Sequence, residues 1–474
     1  MIRKVLVALL LVAALVCGAL AVTRSDDVAE AGPPTAAAVT AGWSPRRVPQ
    51  PFVDAVGARQ LQSALDYALG SSDGCFEVLT AASTVASHQA EVPYIGASTQ
   101  KLLTGAAALA VLGPDSTLST RVFATGDPAS GTVDRLVLVG GGDPLLSTED
   151  FRAVLESGPK TAGAPSTAME SLADAVVASG VKKVNALVVV DDRYDDERYN
   201  PQWPTSYRTE GQVGPVGALT VNKGFSRFKP TPVPVEDPAL TAGATLAQLL
   251  RARGVAVAGV TQRGRMPDDA TEVAKVDSAP VKDLVAQVVR SSDNLAAEML
   301  VKEMGFHETK QGTTAAGLAA ATKQLEALGV PMTGVNLVDG SGLARDNRVT
   351  CRALAATIDL GARPELASLW AGMAIAGQTG TLADELLGTG LEGNLRGKTG
   401  FLNGVTGLAG LVDTGRPVRF ALVVNGGFGE ADAVRIRGRL AQLIARFPES
   451  PPPDALVPVP VTPAPTTAPG PAAP

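Results

Sequence analysis

The chain has 474 residues, of which 45% are hydrophobic and 19% charged, with a formal net charge of −6. That length accommodates two or three domains, and an acidic balance with Lys and Arg scattered along the chain excludes a nucleic-acid-binding surface. The two histidines, His88 and His307, have no second histidine at ligand spacing, which disfavours a zinc site, and no metal or cofactor is implied; a Ser-His-Asp triad would have to use one of these two, and a lysine base is the better expectation for a hydrolase.

Residues 1–21 read as an export signal: Arg3-Lys4, an apolar run from Val5 to Val22, and Ala19-Leu20-Ala21 as a small-residue cleavage site. Cleavage after Ala21 is the favoured outcome; left uncleaved, the run is long enough to anchor the chain in a membrane. Cys17 follows the bulky Val16, which disfavours lipidation. The body of the protein is therefore expected outside the cytoplasm, in a periplasm, a cell wall or the external medium. Once the signal is removed, Cys75 and Cys351 are the remaining cysteines, and export makes a disulfide between them chemically possible, two buried thiols being the alternative.

Residues 22–50, rich in Ala and Pro, suggest a flexible spacer. A helical pattern runs from Ala58 to Leu69, followed by a strand over Cys75–Leu79 and a short strand near Val92–Ile95. Ser98-Thr99-Gln100-Lys101 then opens an Ala/Leu-rich helix that continues to Leu112 and stops at Gly113-Pro114. Positions three apart share a helix face, so the Ser98 hydroxyl and the Lys101 amine become neighbours, a pairing that can make a nucleophile with its base. The same spacing at Ser157–Lys160 and Ser179–Lys182 lacks this setting, because Gly and Pro between those residues oppose a helix. Taken alone, the Ser98 copy also fits an N-cap serine followed by a surface lysine.

From about residue 119 to 267 the pattern is of short mixed strands and helices. Leu136–Val139 runs into Gly140-Gly141-Gly142-Asp143-Pro144, and Leu187–Val190 into Asp191-Asp192, carboxylates that read as loop residues. Gly180, Gly254 and Gly329 each follow a helical run and suit the left-handed residue that closes a helix. From 268 the chain turns helical: Val281–Arg290 and Leu295–Met304 flank Ser291-Ser292-Asp293-Asn294, a capped joint by composition. Asp339-Gly340-Ser341-Gly342-Leu343 reads as a loop. Lys398-Thr399-Gly400 opens Gly-punctuated strands at Leu408–Val412 and Arg419–Val424, an antiparallel meander, before a last amphipathic helix over Ala431–Phe447. Eleven of the 27 residues from Pro448 to Pro474 are proline, enough to forbid a packed core in this tail.

Ser98-x-x-Lys101, Ser292-Asp293-Asn294 and Lys398-Thr399-Gly400, in that order, resemble the motif set of penicillin-binding proteins and serine β-lactamases. The long interval from Ser98 to Ser292 leaves room for an insertion, and with the Gly140–Pro144 and Asp339–Leu343 segments the chain looks like the D-alanyl-D-alanine carboxypeptidase/endopeptidase branch, the low-molecular-mass class C penicillin-binding proteins. The resemblance implies an α/β (α+β) transpeptidase-like fold, an antiparallel sheet beside a helical cluster. A discontinuous catalytic domain over 51–118 and 268–447 would be interrupted by an inserted α/β domain over 119–267, with a disordered tail over 448–474.

The same resemblance implies the chemistry. Ser98 would attack the D-Ala-D-Ala carbonyl of a peptidoglycan stem peptide, with Lys101 as base, its pKa lowered by burial or by the nearby Lys398 cation. Ser292 would relay a proton to the leaving amine, Asn294 would orient the substrate amide, and Lys398, Thr399 and Gly400 would bind the terminal carboxylate. The backbone N–H groups of Ser98 and Phe401 would hold the oxyanion. Phe401 stands where relatives more often carry a small hydroxyl residue. Asp191 would approach a basic amine of the stem only by a loose match. β-Lactams would be covalent inhibitors, and the membrane would be met only through an uncleaved N-terminal segment. A serine β-lactamase and a non-catalytic wall-binding protein that kept the fold are the competing readings, the first disfavoured by the insertion and tail, the second by the intact Ser98, Lys101 and Lys398.

Overall fold

The computed structural model describes residues 50–158, 160–413 and 415–449. The segments expected to be an export signal and a spacer, up to residue 49, and the expected tail from residue 450 lie outside the described residues. None of the described helices is long and apolar enough to cross a membrane.

Two sheets position everything else. The first is antiparallel throughout, in the order Ala374–Ile375, Leu395–Leu402, Val405–Asp413, Pro417–Asn425, Asp73–Leu79 and Thr84–His88. Helices cover both of its faces, which is why Phe420–Val424 is apolar without alternation and fully buried. On one face the helices Gln50–Leu69 and Glu430–Ile444 pack Leu61, Leu65, Leu440 and Ile444 against Phe420 and Leu422. On the other, helices Lys101–Leu112, Val281–Ser291, Asn294–Thr309 and Cys351–Leu360 pack around Ala409, Ala421 and Val423. Lys101–Leu112 is buried on nearly every side, as a helix apolar all round must be.

Thr84–His88, which was not expected, pairs with Asp73–Leu79 at the sheet edge, and the short strand expected near Val92–Ile95 is reduced to a single bridge from Tyr94 to Val349. Thr84-Val85-Ala86-Ser87-His88 is half-exposed and carries few large apolar residues, so hydrophobic pattern does not mark it. Cys75, in the first strand of this hairpin, is disulfide-bonded to Cys351 at the start of its helix, with 6.0 Å between the Cα atoms. The bond closes a separation of 276 residues. Replacing both cysteines by serine is expected to lower unfolding stability by about 2–5 kcal/mol, read from denaturant titration.

The second sheet is mixed. Ser119–Thr125 pairs antiparallel with Thr132–Val139, which pairs parallel with Lys183–Val190, and the crossover between those two carries helix Met169–Ala178. Short strands Ala256–Val257 and Gln262–Arg263 add to Lys183–Val190, and Leu136, Leu172, Leu187 and Leu246 are among the residues that fill the core. Thr271–Asp277 pairs with Ser119–Thr125, so this sheet extends to Asp277, past the limit expected at 267. That strand lies at the edge with most side chains exposed, and its alternation is masked by the turn-forming Pro267-Asp268-Asp269 before it. The chain enters and leaves this second sheet side by side: the Ser278 N–H donates to the Leu118 carbonyl at 2.8 Å, and the Leu118 N–H to Ser278 Oγ at 3.0 Å. Gly180, Gly254 and Gly329 close their helices with φ of 98°, 84° and 90°.

Candidate active site

Ser98 lies in a single 3₁₀ turn, Ala97–Gln100, from which the helix Lys101–Leu112 continues. The expected spacing holds in three dimensions: Lys101 Nζ is 2.9 Å from Ser98 Oγ. The turn rests on the strand that carries Lys398-Thr399-Gly400. A β-carbon on Gly400 would stand 2.6 Å from the Gly96 carbonyl oxygen and 3.2 Å from Thr99 N, so only glycine lets the serine turn approach the strand this closely. Gly400→Ala is expected to cost about 1–3 kcal/mol of stability by overpacking and to slow acylation of Ser98 by a β-lactam about 10- to 100-fold through displacement of the turn. Stopped-flow acylation rates beside thermal melts check both effects.

Lys101 is fully buried. Its Nζ donates to Asn294 Oδ1 at 2.6 Å and to the Ser341 carbonyl at 2.6 Å, in addition to its contact with Ser98. Burial drives its pKa down to about 8, against the opposing pull of the Asp339, Glu298 and Asp293 carboxylates. Desolvation is the leading cause of the depression, and the acids around Lys101 oppose it. Lys398 is also fully buried, and burial, Lys101 and Arg437 hold its pKa well below the usual lysine range. Its Nζ donates to the Thr399 carbonyl at 2.8 Å, while the Thr399 hydroxyl donates to Thr381 Oγ1 at 2.8 Å.

Ser292 ends helix Val281–Ser291 in a left-handed conformation, φ 62°, ψ 40°, and turns the chain into helix Asn294–Thr309. Asp293 caps that helix through the Ala296 N–H at 3.1 Å and forms an ion pair with Lys223. Asn294 faces two ways, accepting from Lys101 and donating through Nδ2 to the Gln212 carbonyl at 2.7 Å. Among the described residues no hydrogen bond joins the Ser292 hydroxyl to Ser98 or Lys101. Phe401 follows Gly400 on the same strand with its side chain partly exposed.

Several supporting groups were not identified from spacing. The Asp339–Leu343 segment, read above as a loop, delivers the Ser341 carbonyl to Lys101. Buried Asp339 shapes it by accepting the Gly342 N–H at 2.7 Å and the Ala344 N–H at 2.6 Å, and the indole N–H of Trp203 at 2.8 Å. Gln100 Nε2 donates to the Asp339 carbonyl at 2.5 Å. Glu298 accepts the Gly340 N–H at 3.1 Å and the Ser341 N–H at 2.7 Å, and burial followed by the Asp339 charge pushes its pKa up. Glu298 lies four residues after Asn294, on the same helix face, the one signal by which the sequence could have located it. Asp191 turns inward: its side chain is buried, accepts the Leu219 N–H at 2.9 Å and pairs with Arg198 at 3.0 Å, so it has internal partners where a substrate amine was considered. His88 pairs with Asp66 and His307 with Glu308, and neither touches the Ser98 cluster.

Chemically, the cluster is a hydroxyl held against an amine in a dry site. The Ser341 carbonyl can only accept, and Asn294 presents its oxygen because its nitrogen is engaged by Gln212. A neutral Lys101 thus places its two N–H bonds on these acceptors and leaves its lone pair for the Ser98 hydroxyl proton.

This fold and this constellation define a serine hydrolase of the penicillin-binding type. The D-Ala-D-Ala carboxypeptidase 3 (S13) family matches residues 59–234 and 225–447. Carboxypeptidase DacB of Mycolicibacterium smegmatis is 33% identical over 436 residues, 88% of this chain and 90% of the relative, and a D-alanyl-D-alanine carboxypeptidase of an Actinomadura species is 30% identical over 426 residues, 72% of this chain and 76% of the relative. The crystal structure of penicillin binding protein 4 from Haemophilus influenzae shares the fold with a TM-score of 0.67 at 22% identity, covering 81% of this chain and 98% of that one. The chain belongs to the D-Ala-D-Ala carboxypeptidase 3 (S13) family. It is a serine-type D-Ala-D-Ala carboxypeptidase, a hydrolase that acts on peptidoglycan in the periplasm or cell wall.

Proposed function

We propose that Ser98 is the acylated nucleophile and Lys101 its base. The observation that carries this reading is the placement of Lys101 Nζ between Ser98 Oγ and the two acceptors Asn294 Oδ1 and Ser341 O. Neutral Lys101 takes the Ser98 proton as Oγ bonds to the penultimate D-Ala carbonyl carbon. The backbone N–H groups of Ser98 and Phe401 hold the oxyanion. On collapse, the carbon–nitrogen bond breaks and the proton passes from Lys101 through Ser292 to the leaving nitrogen. Lys398, Thr399 and Gly400 bind the leaving carboxylate, whose charge favours the protonated form of the buried Lys398. Asn294 orients the substrate amide. Water then hydrolyses the acyl-Ser98 ester and regenerates the enzyme.

Under this reading residues 51–118 and 268–447 form the catalytic domain, with 119–267 and the adjoining edge strand as an insertion that braces it. Residues 1–21 direct export, and β-lactams acylate the same serine. The experiment is labelling of the exported protein by a fluorescent penicillin, with mass spectrometry of the labelled peptide, beside D-alanine release from a pentapeptide. The adduct is expected on Ser98; an adduct elsewhere, or no adduct, sinks the assignment. Fast turnover of a cephalosporin with no D-alanine release would instead support the β-lactamase reading.

A further inference from the structure

The edge strand Ala374–Ile375 pairs with the start of Leu395–Leu402, Ala374 opposite Gly397 and Ile375 opposite Arg396. The chain then folds back into a short 3₁₀ turn, Gly380–Leu382. The Gly377 N–H donates to the Leu382 carbonyl at 2.9 Å, the Thr379 N–H to the Ile375 carbonyl at 3.0 Å, and the Ile375 N–H to Thr379 Oγ1 at 3.1 Å. Gly380 has φ 62°, and a β-carbon there would stand 2.4 Å from the Arg290 carbonyl oxygen. Glycine thus seats the turn against the end of the helix that leads into Ser292. Thr381 is thereby fixed beside the strand that carries Lys398-Thr399-Gly400.

The hydroxyls of Thr399 and Thr381 are 2.8 Å apart, Thr399 donating to Thr381 Oγ1, and among the described residues the hydrogen of the Thr381 hydroxyl has no acceptor. Thr381 is also partly exposed. A carboxylate has two oxygens, both of which only accept. Of the groups assigned to it above, Lys398 brings charge, Gly400 has no side chain and Thr399 has one hydroxyl. Phe401 shares the Thr399 face of the strand, two residues on, and its side chain has no polar atom to add. Thr381 has what is missing, a hydroxyl with a spare hydrogen beside the one already assigned. Two neighbouring donors match the fork of a carboxylate better than one.

We propose that Thr381 is a further substrate-binding residue, whose hydroxyl and that of Thr399 each donate to one oxygen of the substrate's C-terminal carboxylate. On binding, the Thr399 hydrogen turns from Thr381 to the ligand, and the pair selects substrates whose leaving residue ends in a free carboxylate. The proposal rests on the assignment of Ser98 as nucleophile and of Lys398-Thr399-Gly400 as the carboxylate site. The test compares wild type, Thr381→Val, Thr381→Ser, Thr399→Val and the double variant Thr381→Val/Thr399→Val of the full chain. Each is assayed for acylation by a fluorescent penicillin, for acylation by its methyl ester, which keeps the ring and loses the charge, and for D-alanine release from pentapeptide. Thr381→Val is expected to slow acylation by the free acid about 10- to 100-fold, the effect of one hydrogen bond to a charged group, and to raise KM for the pentapeptide by a similar factor with kcat nearly kept. Acylation by the ester should stay within about twofold of wild type, and Thr381→Ser should restore the rate with the acid. In the Thr399→Val background, Thr381→Val should slow the acid about tenfold further, because Thr381 touches the carboxylate itself. If the valine variant does not fold, Thr381→Ala read against Thr381→Ser isolates the same hydroxyl. An unchanged rate with the acid, an equal fall on acid and ester, no rescue by serine, or no further loss in the Thr399→Val background each overturns the contact. A wild type that reacts equally fast with acid and ester overturns the carboxylate site itself, and one that reacts with neither overturns the Ser98 assignment.

Discussion

Ser98→Ala is expected to abolish labelling by a fluorescent penicillin and to lower D-alanine release by roughly 10⁴- to 10⁶-fold, because no other hydroxyl replaces the one at 2.9 Å from Lys101 Nζ. The neighbouring Thr99 hydroxyl donates to the Gly96 carbonyl at 2.7 Å and is buried, so it offers no substitute nucleophile. The substitution removes one oxygen from a half-buried position and leaves the turn's contacts with Gly400 in place. Circular dichroism and thermal melting should therefore match wild type within experimental scatter. Substrate binding should survive, since the groups assigned to the carboxylate are untouched, and equilibrium binding of an uncleaved stem peptide separates lost chemistry from lost binding. Retention of penicillin labelling in this variant would falsify the acyl-serine mechanism.

Lys101→Met is expected to reduce acylation about 10²- to 10⁴-fold, the span of a positioned general base, while leaving a serine that still reacts slowly. In the wild type, the rate should rise with pH along a limb with an apparent pKa near 8, because the neutral amine is the active form and burial brings its pKa to about 8. At pH 7 about one lysine in ten is then competent. The same shift affects stability with a definite sign. The folded pKa lies below the unfolded value of 10.5, so the unfolded chain binds more protons between these two pH values. Stability gains a contribution as pH rises from about 8 towards 10.5, and the burial penalty is fully felt below 8. Lys101→Met should flatten both profiles. A methionine there also strands the Ser341 carbonyl and Asn294 Oδ1 without their donor, which offsets the gain from removing a buried ammonium. Pre-steady-state acylation across pH 6–10 measures the first effect and chemical denaturation over the same range the second. A pH–rate profile that is flat in the wild type would remove Lys101 as the base.

Much of the site was legible because its parts are short and local. Ser98 and Lys101 are three residues apart, and Asp293 and Asn294 sit at a helix start that their side chains favour. Lys398-Thr399-Gly400 begins a strand whose partners follow directly in a meander. What surrounds Lys101 was not legible. The Ser341 carbonyl comes from a residue 240 positions away, and the Gln212 carbonyl that turns Asn294 from one 82 positions before Asn294. Asp191 was read mainly as a loop residue, and it has internal partners, the Leu219 N–H and the partly buried Arg198; residue type alone could not name them, because a carboxylate at a strand end reads alike whether it meets a ligand or an arginine. Thr84–His88 and Thr271–Asp277 escaped because edge strands bury too few side chains to imprint a period on the sequence.

The sequence by itself determined which groups could do the chemistry and their order along the chain, since nucleophile, base, helix caps and strand-forming runs follow from residue type and short-range spacing. Only the tertiary structure decided that Lys101 is dry enough to act as a base near neutrality. Its pKa depends on water excluded by helices distant in sequence, and its orientation on the Asp339–Leu343 loop, which Glu298, Gln100 and Trp203 hold in place. Burial and orientation are sums over contacts distant in sequence, and no local pattern encodes them.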